Sequence, residues 1–175
     1  EVVDISVGQE TNFQITTGLV DEVQSASGSP IDGLVIASPS NPTGTMLDPA
    51  QLEELARYCE NQGIRLVSDE IYHGITYGTQ AQTALSYSSQ AIVINSFSKY
   101  FSMTGWRLGW MVLPSELLRA VECLGQNLFI SPPSISQMAG VEAFNCHEEL
   151  KANLRRYRKN RGILLDALPK AGLNE

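Results

Sequence analysis

A lysine and an arginine stand eight residues apart in a stretch of small and hydroxyl-bearing residues, NSFSKYFSMTGWRLG at 95–109. Lys99 is a candidate amine nucleophile, because desolvation in a pocket disfavours the charged form of an amine. Arg107 can hold a phosphate through a forked pair of hydrogen bonds. Ser96 and Ser98 are two residues apart, so an extended backbone points both hydroxyls to one side. Together these groups indicate an amine nucleophile beside an anion cradle, which is what a phosphorylated aldehyde requires.

Short apolar runs around this stretch and earlier in the chain predict the strands that position it. The predicted strands lie at 2–7, 34–37, 64–67, 91–95 and 108–113. The run at 34–37 is short and continuous, which is typical of a strand buried on both faces. Because strands alternate with helical segments, the sequence predicts an α/β fold with a mainly parallel sheet and flanking helices.

Capping residues predict the best-defined helix between these strands. Asp48 is suited to cap its start, and Pro49 to occupy its first position. Gln51 can complete a capping box with Asp48, and Gly63 is suited to end the helix. Further helices are predicted at 16–26, after Pro114, at 135–144 and at 148–168.

Polar loops follow three of the predicted strands. The loop SPSNPTG at 38–44 contains Asn41, the loop SDEIYHG at 68–74 contains Asp69, and Lys99 lies in the third. Ligands of parallel α/β sheets bind beyond the carboxyl ends of the strands. We therefore expect Asn41, Asp69 and Lys99 to meet at one edge of the sheet.

The bulk composition suits a soluble globular domain of 175 residues with a substantial core. A net charge of −7 disfavours partners such as nucleic acid or an anionic membrane surface. No apolar run is long enough to span a bilayer. Three scattered cysteines form neither a disulfide framework nor a metal cluster, which indicates no metal site and a reducing, cytoplasmic compartment. The chain opens without methionine, and we expect it to be a piece of a longer protein.

Three motifs in this order resemble the class I/II aminotransferases of fold type I, which depend on pyridoxal phosphate and belong to the aspartate aminotransferase superfamily. They are SPSNPTG at 38–44, SDEIYHG at 68–74 and SFSKYFSMTGWRLGW at 96–110. The resemblance covers essentially the whole chain. It implies that residues 1–145 are part of the large domain that binds pyridoxal 5'-phosphate. Residues 146–175 are then a long helix that leads into a truncated small domain.

The resemblance also assigns roles to residues at matching positions. Lys99 matches the lysine that forms a Schiff base with the cofactor aldehyde and then moves a proton. Asp69 matches the aspartate that pairs with the pyridine nitrogen and keeps it protonated. Tyr72, also counted as catalytic, matches a residue that hydrogen-bonds the ring oxygen of the cofactor. The remaining matches are Asn41 at the ring oxygen, and Ser96, Ser98 and Arg107 at the phosphate.

The implied function is transfer of an amino group from an amino acid to a 2-oxo acid, in a homodimer. A carbon–sulfur lyase of the same fold remains open, because it shares all three motifs. An aminotransferase-like effector domain of a transcription regulator is also open, but it would need a basic DNA-binding segment that this sequence does not show. The intact Lys99, Asp69 and Arg107 argue against a non-catalytic remnant. The family's earlier phosphate-binding turn and stacking aromatic, and its later carboxylate-binding arginine, are not found here. We therefore expect this chain alone to lack efficient activity. Structural roles are expected for Glu70 and His73.

Overall fold

The computed structural model describes residues 2–173 and divides into two compact units, Glu1–Pro132 and Pro133–Glu175. The boundary implied by the resemblance, between residues 145 and 146, lies inside the second unit. The assignment of these segments to a large and a small domain stays a prediction.

The first unit contains a four-stranded sheet, counted over residues 2–173. Its strands are β1 (Gly33–Ala37), β2 (Arg65–Asp69), β3 (Ile92–Ser96) and β4 (Gly109–Val112), in that order across the sheet. β1, β2 and β3 run parallel, and β4 is antiparallel to β3. The predicted α/β fold with a mainly parallel sheet is confirmed.

Helices of the first unit are α1 (Thr17–Ser27), α2 (Pro49–Gln62) and α3 (Ser115–Leu128). Three-residue 3₁₀ helices lie at Gln9–Thr11, Ala84–Ser86 and Thr104–Trp106. The capping box of α2 is present: Gln51 N donates to Asp48 Oδ1 at 2.9 Å, and Asp48 N donates to Gln51 Oε1 at 3.0 Å. Gly63 ends α2 with a φ of 70°, a left-handed conformation that favours glycine.

One face of the sheet packs on α1 and α2 to form the core. Leu34 and Ile36 of β1 are buried there with Leu66 of β2. The helices contribute Val20, Leu52, Leu55, Ala56 and Cys59 to the same cluster. Burial raises the pKa of the Cys59 thiol to about 11, so this cysteine serves as a small apolar core residue.

Two strand predictions are corrected. Burial of 34–37 on both faces is wrong, because Val35 is 74% exposed on the face opposite α1 and α2. The strand predicted at 2–7 is absent: this segment has no regular structure, and Val2 is 90% exposed. Alternating apolar residues give a segment two faces, but a strand also needs a partner for its backbone hydrogen bonds. Over the described residues, this segment pairs with none.

The second unit consists of α4 (Ser134–Ala143) and α5 (His147–Lys170), which matches the predicted helical segments to within a few residues. α5 has 24 residues and carries mostly exposed charged side chains. Nowhere between residues 2 and 173 is a helix both long enough and apolar enough to cross a membrane.

Candidate active site

The parallel strands deliver the three polar loops to one edge of the sheet, as the sequence predicted. Ala37 at the end of β1 is in register with Asp69 at the end of β2, and Asp69 is in register with Ile94 of β3. Beyond the strand ends, Ser38 N donates to Asp69 O at 3.2 Å, and Glu70 N donates to Ile94 O at 2.8 Å. Backbone hydrogen bonds therefore fix the starting points of the three loops relative to one another.

Asp69 is the last residue of β2 and is half-buried at this edge. Its Oδ1 accepts a hydrogen bond from Ile71 N at 3.0 Å, which fixes the carboxylate on the turn that follows the strand. Within residues 2–173, Oδ2 accepts no hydrogen bond and Asp69 forms no ion pair. This oxygen can therefore accept a hydrogen bond from a protonated nitrogen of a ligand.

Lys99 and Tyr72 are brought together by the turns that follow β3 and β2. Lys99 Nζ lies 5.4 Å from the centroid of the Tyr72 ring, within the range of a cation–π contact. The Lys99 turn is closed by hydrogen bonds from Ser102 N to Lys99 O and from Met103 N to Phe97 O, each 3.0 Å. Across the described part of the chain, no carboxylate lies within ion-pair distance of Lys99. The half-buried amine therefore forms no salt bridge with the described residues.

Ser96 and Ser98 form a pair of hydroxyl groups, as their spacing predicted. Ser96 Oγ lies 2.9 Å from Ser98 Oγ and 3.1 Å from Leu108 O, and Ser98 N donates to Ser96 Oγ at 3.0 Å. Thr104 Oγ1 donates to Ser98 O at 2.7 Å and ties the turn to the segment before Arg107. Because the Ser96 hydroxyl donates within the protein, the Ser98 hydroxyl proton stays available for an anion.

Arg107 and Asn41 lie on exposed parts of the same loops. Arg107 has a φ of 51°, and its Nη1 donates to Thr104 O at 3.1 Å, which leaves other guanidinium donors available. Asn41 lies in the turn after β1, where the Ser38–Pro39 and Asn41–Pro42 peptides are both cis. The described residues include no hydrogen bond from either side chain to Asp69, Tyr72 or Lys99.

A buried carboxylate, Glu70, joins three segments behind these residues. Glu70 Oε1 accepts from Ala84 N at 2.9 Å, from Thr83 Oγ1 at 3.1 Å and from Ser68 Oγ at 3.2 Å. Its Oε2 lies 3.4 Å from His73 Nδ1, and His73 Nε2 lies 3.1 Å from Ser38 O. Because Glu70 is only 2% exposed and fully bonded, the contacts support the structural roles expected for Glu70 and His73.

Replacing Glu70 by alanine is expected to lower the free energy of unfolding by about 3 kcal/mol, because it leaves Ala84 N and two hydroxyls unpaired in a buried site. Urea unfolding measures this change. Glu53→Ala is the control, since Glu53 makes an exposed pair with Arg57 and its loss is expected to cost less than about 1 kcal/mol. Equal losses in the two variants would contradict the structural role of Glu70.

The donor set suits a phosphorylated pyridine aldehyde. Lys99 offers an amine to the aldehyde, and Asp69 offers a carboxylate oxygen to a protonated ring nitrogen. Ser98 and Arg107 offer donors to a phosphate. Each group follows a strand or turn of the same sheet edge, so the residues present fit pyridoxal phosphate.

The fold and this donor set define a domain of a fold type I enzyme that depends on pyridoxal phosphate. The chain belongs to the family Aminotransferase class I and II, whose model matches residues 1–175.

Several proteins named as aminotransferases are similar to this chain over part of their own length. Valine–pyruvate aminotransferase from Mycobacterium tuberculosis is 46% identical over 99% of this chain and 45% of its own length. An aspartate aminotransferase from Sulfurisphaera tokodaii is 30% identical over 96% of this chain and 42% of its own length. The crystal structure of an aminotransferase from Mycobacterium tuberculosis superposes with a TM-score of 0.93 at 46% identity, over 100% of this chain and 45% of that one. The chain thus spans less than half the length of these relatives.

One contact at the site, between Tyr100 and Gly74, was not predicted from the sequence. The ring of Tyr100, the residue after Lys99, lies directly against the backbone of Gly74 in the SDEIYHG loop. The only sign of this contact in the sequence is Gly74, the last residue of the motif. A glycine alone does not identify the ring that packs on it.

Proposed function

We propose that this chain carries the cofactor-binding part of an aminotransferase that moves an amino group from an amino acid to a 2-oxo acid. The observation that carries the proposal is the Lys99 amine, half-buried beside the Tyr72 ring and outside any salt bridge of the described residues. Asp69 stands at the end of the strand between the two that supply the other loops. Membership of the aminotransferase family supports the same reaction.

Lys99 is the reacting amine in this proposal. Pyridoxal phosphate supplies an aldehyde that condenses with amines and a pyridine ring that withdraws electrons from the bound amino acid. The half-buried Lys99 Nζ would be the amine that holds the cofactor through its aldehyde. As a free amine beside the Tyr72 ring, Nζ would also serve as the base that moves the substrate's proton.

Asp69 and Tyr72 tune and orient the ring. The Asp69 carboxylate would accept a hydrogen bond from the ring nitrogen and keep that nitrogen protonated, since a nearby negative charge favours the protonated form. Tyr72 and Asn41 would donate hydrogen bonds to the ring oxygen. Ser98 and Arg107 would donate to the phosphate, with Arg107 supplying the charge-assisted contact, while Ser96 would orient the Ser98 hydroxyl.

Borohydride reduction followed by peptide mapping tests the assignment of Lys99. The full-length protein is mixed with pyridoxal phosphate, reduced and digested, and the modified lysine is located by mass spectrometry. Within this chain the other lysines are Lys151, Lys159 and Lys170, all on α5. An adduct on Lys99 is expected, and an adduct confined to other lysines would overturn the assignment.

Arg107→Ala is expected to weaken cofactor binding by about 10- to 100-fold, because a charge-assisted hydrogen bond contributes about 1.5–3 kcal/mol. Titration of the apoprotein with pyridoxal phosphate, followed by absorbance, measures the Kd. Arg119→Ala is the matched control, since Arg119 is exposed on α3 and pairs only weakly with Glu122 at 3.6 Å. An unchanged Kd in Arg107→Ala would exclude the phosphate role.

Similarity to the relative named valine–pyruvate aminotransferase supports one substrate class. We infer an aliphatic amino acid as amino donor and pyruvate as acceptor. Half-reactions of the full-length protein with valine, aspartate and phenylalanine compare the donors, and analysis of the keto acid product separates transfer from elimination. A marked preference for aspartate would exclude the aliphatic assignment.

We further infer a cytoplasmic homodimer. The apolar residues Leu128, Phe129 and Ile130 at the end of α3 support an interface, since they are 68%, 75% and 84% exposed in the single chain. Sedimentation of the full-length protein measures the assembly state. A protein that remains a monomer at micromolar concentration would contradict the dimer.

A further inference from the structure

The two loops that hold Tyr72 and Lys99 are in contact a second time, slightly further along the sequence in each loop. Tyr100 directly follows Lys99, and its ring lies against Gly74, two residues after Tyr72. A Cβ atom on Gly74 would lie 2.5 Å from Tyr100 Cδ2, 2.8 Å from Cε2 and 2.9 Å from Cγ. These distances are far below van der Waals contact, so only glycine permits this position of the ring.

A second aromatic ring also contacts Tyr100. The Phe101 ring packs edge-on against it, with ring centroids 5.1 Å apart and an interplanar angle of 82°. Phe101 in turn packs on Phe97, with centroids 4.9 Å apart. Because the ring contacts both Gly74 and Phe101, a side chain on residue 74 would displace it together with the adjoining Lys99 backbone.

We propose that the seating of the Tyr100 ring on Gly74 positions the Lys99 amine relative to Tyr72 and Asp69. Tyr100 is then a positioning residue, which acts through Lys99 and touches no reacting atom. This inference rests on the proposed function, because it assigns a consequence to the placement of the reacting amine. A reacting group displaced by about 1 Å can lose about 100-fold in rate, so a contact that fixes the amine has a measurable effect.

The chain offers a matched control for the backbone of Gly74. Gly74 has a φ of 88° and Gly78 a φ of 97°, so alanine strains the backbone similarly at both positions. Around Gly78 an added Cβ meets no atom within 4 Å, whereas at Gly74 it meets the Tyr100 ring. The difference between Gly74→Ala and Gly78→Ala therefore isolates displacement of the ring from backbone strain.

The experiment measures how Lys99 reacts in the full-length protein and in four variants: Gly74→Ala, Gly78→Ala, Tyr100→Ala and Tyr100→Phe. The first readout is the rate at which pyridoxal phosphate forms a borohydride-trapped adduct on Lys99. The second needs no cofactor and is the acetylation rate of Lys99 relative to exposed Lys151. Thermal unfolding of each variant shows whether the fold is intact.

Gly74→Ala and Tyr100→Ala are expected to slow adduct formation on Lys99 by about 10-fold or more, because the amine is no longer fixed. In Tyr100→Phe, which keeps the ring, and in Gly78→Ala, the rate of adduct formation is expected to stay within about twofold of that of the unchanged protein. Acetylation of Lys99 relative to Lys151 is expected to rise about threefold in the two disrupting variants, since a loosened turn exposes the amine.

A double variant makes the proposal testable even if one single variant folds poorly. In the Tyr100→Ala background the ring is absent. There, Gly74→Ala is expected to slow adduct formation on Lys99 no further than Gly78→Ala does. The proposal is overturned if Gly74→Ala and Gly78→Ala give equal rates of adduct formation on Lys99 while Tyr100 is present. It is also overturned if Tyr100→Ala leaves both the adduct rate and the acetylation rate of Lys99 unchanged. If the unchanged protein forms no adduct on Lys99, the proposed function fails, and the acetylation rates still decide whether the contact positions this amine.

Discussion

Lys99→Ala is expected to lower the transamination rate of the full-length protein by about 10⁴-fold, which is the upper range for loss of one acid–base group. The variant loses the amine that bonds the aldehyde and also the group that moves the proton. It is expected to retain its fold, because Lys99 is half-buried and forms no ion pair among the described residues. Single-turnover kinetics with a saturating amino acid measure the rate of the chemical step.

Two comparisons separate this loss from general damage. Lys151→Ala removes a lysine that pairs with Glu148 on the exposed surface of α5, and its rate is expected to be unchanged. Addition of a small primary amine to Lys99→Ala is expected to restore part of the proton transfer, since the defect is a missing base. A rate within tenfold of the unchanged protein would show that another group moves the proton.

The elements that depend on local chemistry were predictable from the sequence. Asp48, Gln51 and Gly63 specify the two ends of α2 through capping and a left-handed backbone, and the structure shows both features. The strands beginning at Gly33 and Arg65 were predictable because their apolar residues are short runs between turn signals. A parallel order of these strands in turn predicts that the Asn41, Asp69 and Lys99 loops lie at one edge of the sheet.

Features that depend on distant partners were not predictable. Residues 2–7 alternate like a strand, yet a strand needs a neighbour, and the sequence does not say which segment provides one. Val35 belongs to a continuous apolar run, but what covers its face depends on the rest of the protein. The contact between Gly74 and Tyr100 joins residues 26 positions apart and appears only once both loops are folded.

Asp69→Ala is expected to lower the transamination rate by about 10³-fold while leaving the fold nearly intact, which is the second largest effect we predict. A carboxylate beside a ring nitrogen favours its protonated form, and removing the charge lets that proton leave at neutral pH. The ring then withdraws electrons less well, so the chemical step slows. The structural cost is the single hydrogen bond from Ile71 N to Asp69 Oδ1, worth about 1 kcal/mol.

Asp69→Asn separates the charge from the hydrogen bond. Asparagine keeps an oxygen that accepts from Ile71 N, so its free energy of unfolding is expected to match that of the unchanged protein. Its rate is expected to fall as far as that of Asp69→Ala, because the negative charge is gone in both. Asp48→Ala is the inverse control: it breaks the α2 capping box at a cost of about 1 kcal/mol in stability and is expected to leave the rate unchanged. If Asp69→Asn keeps the full rate, the carboxylate acts only through its hydrogen bond to the turn, and the proposed interaction between its charge and the ring nitrogen is wrong.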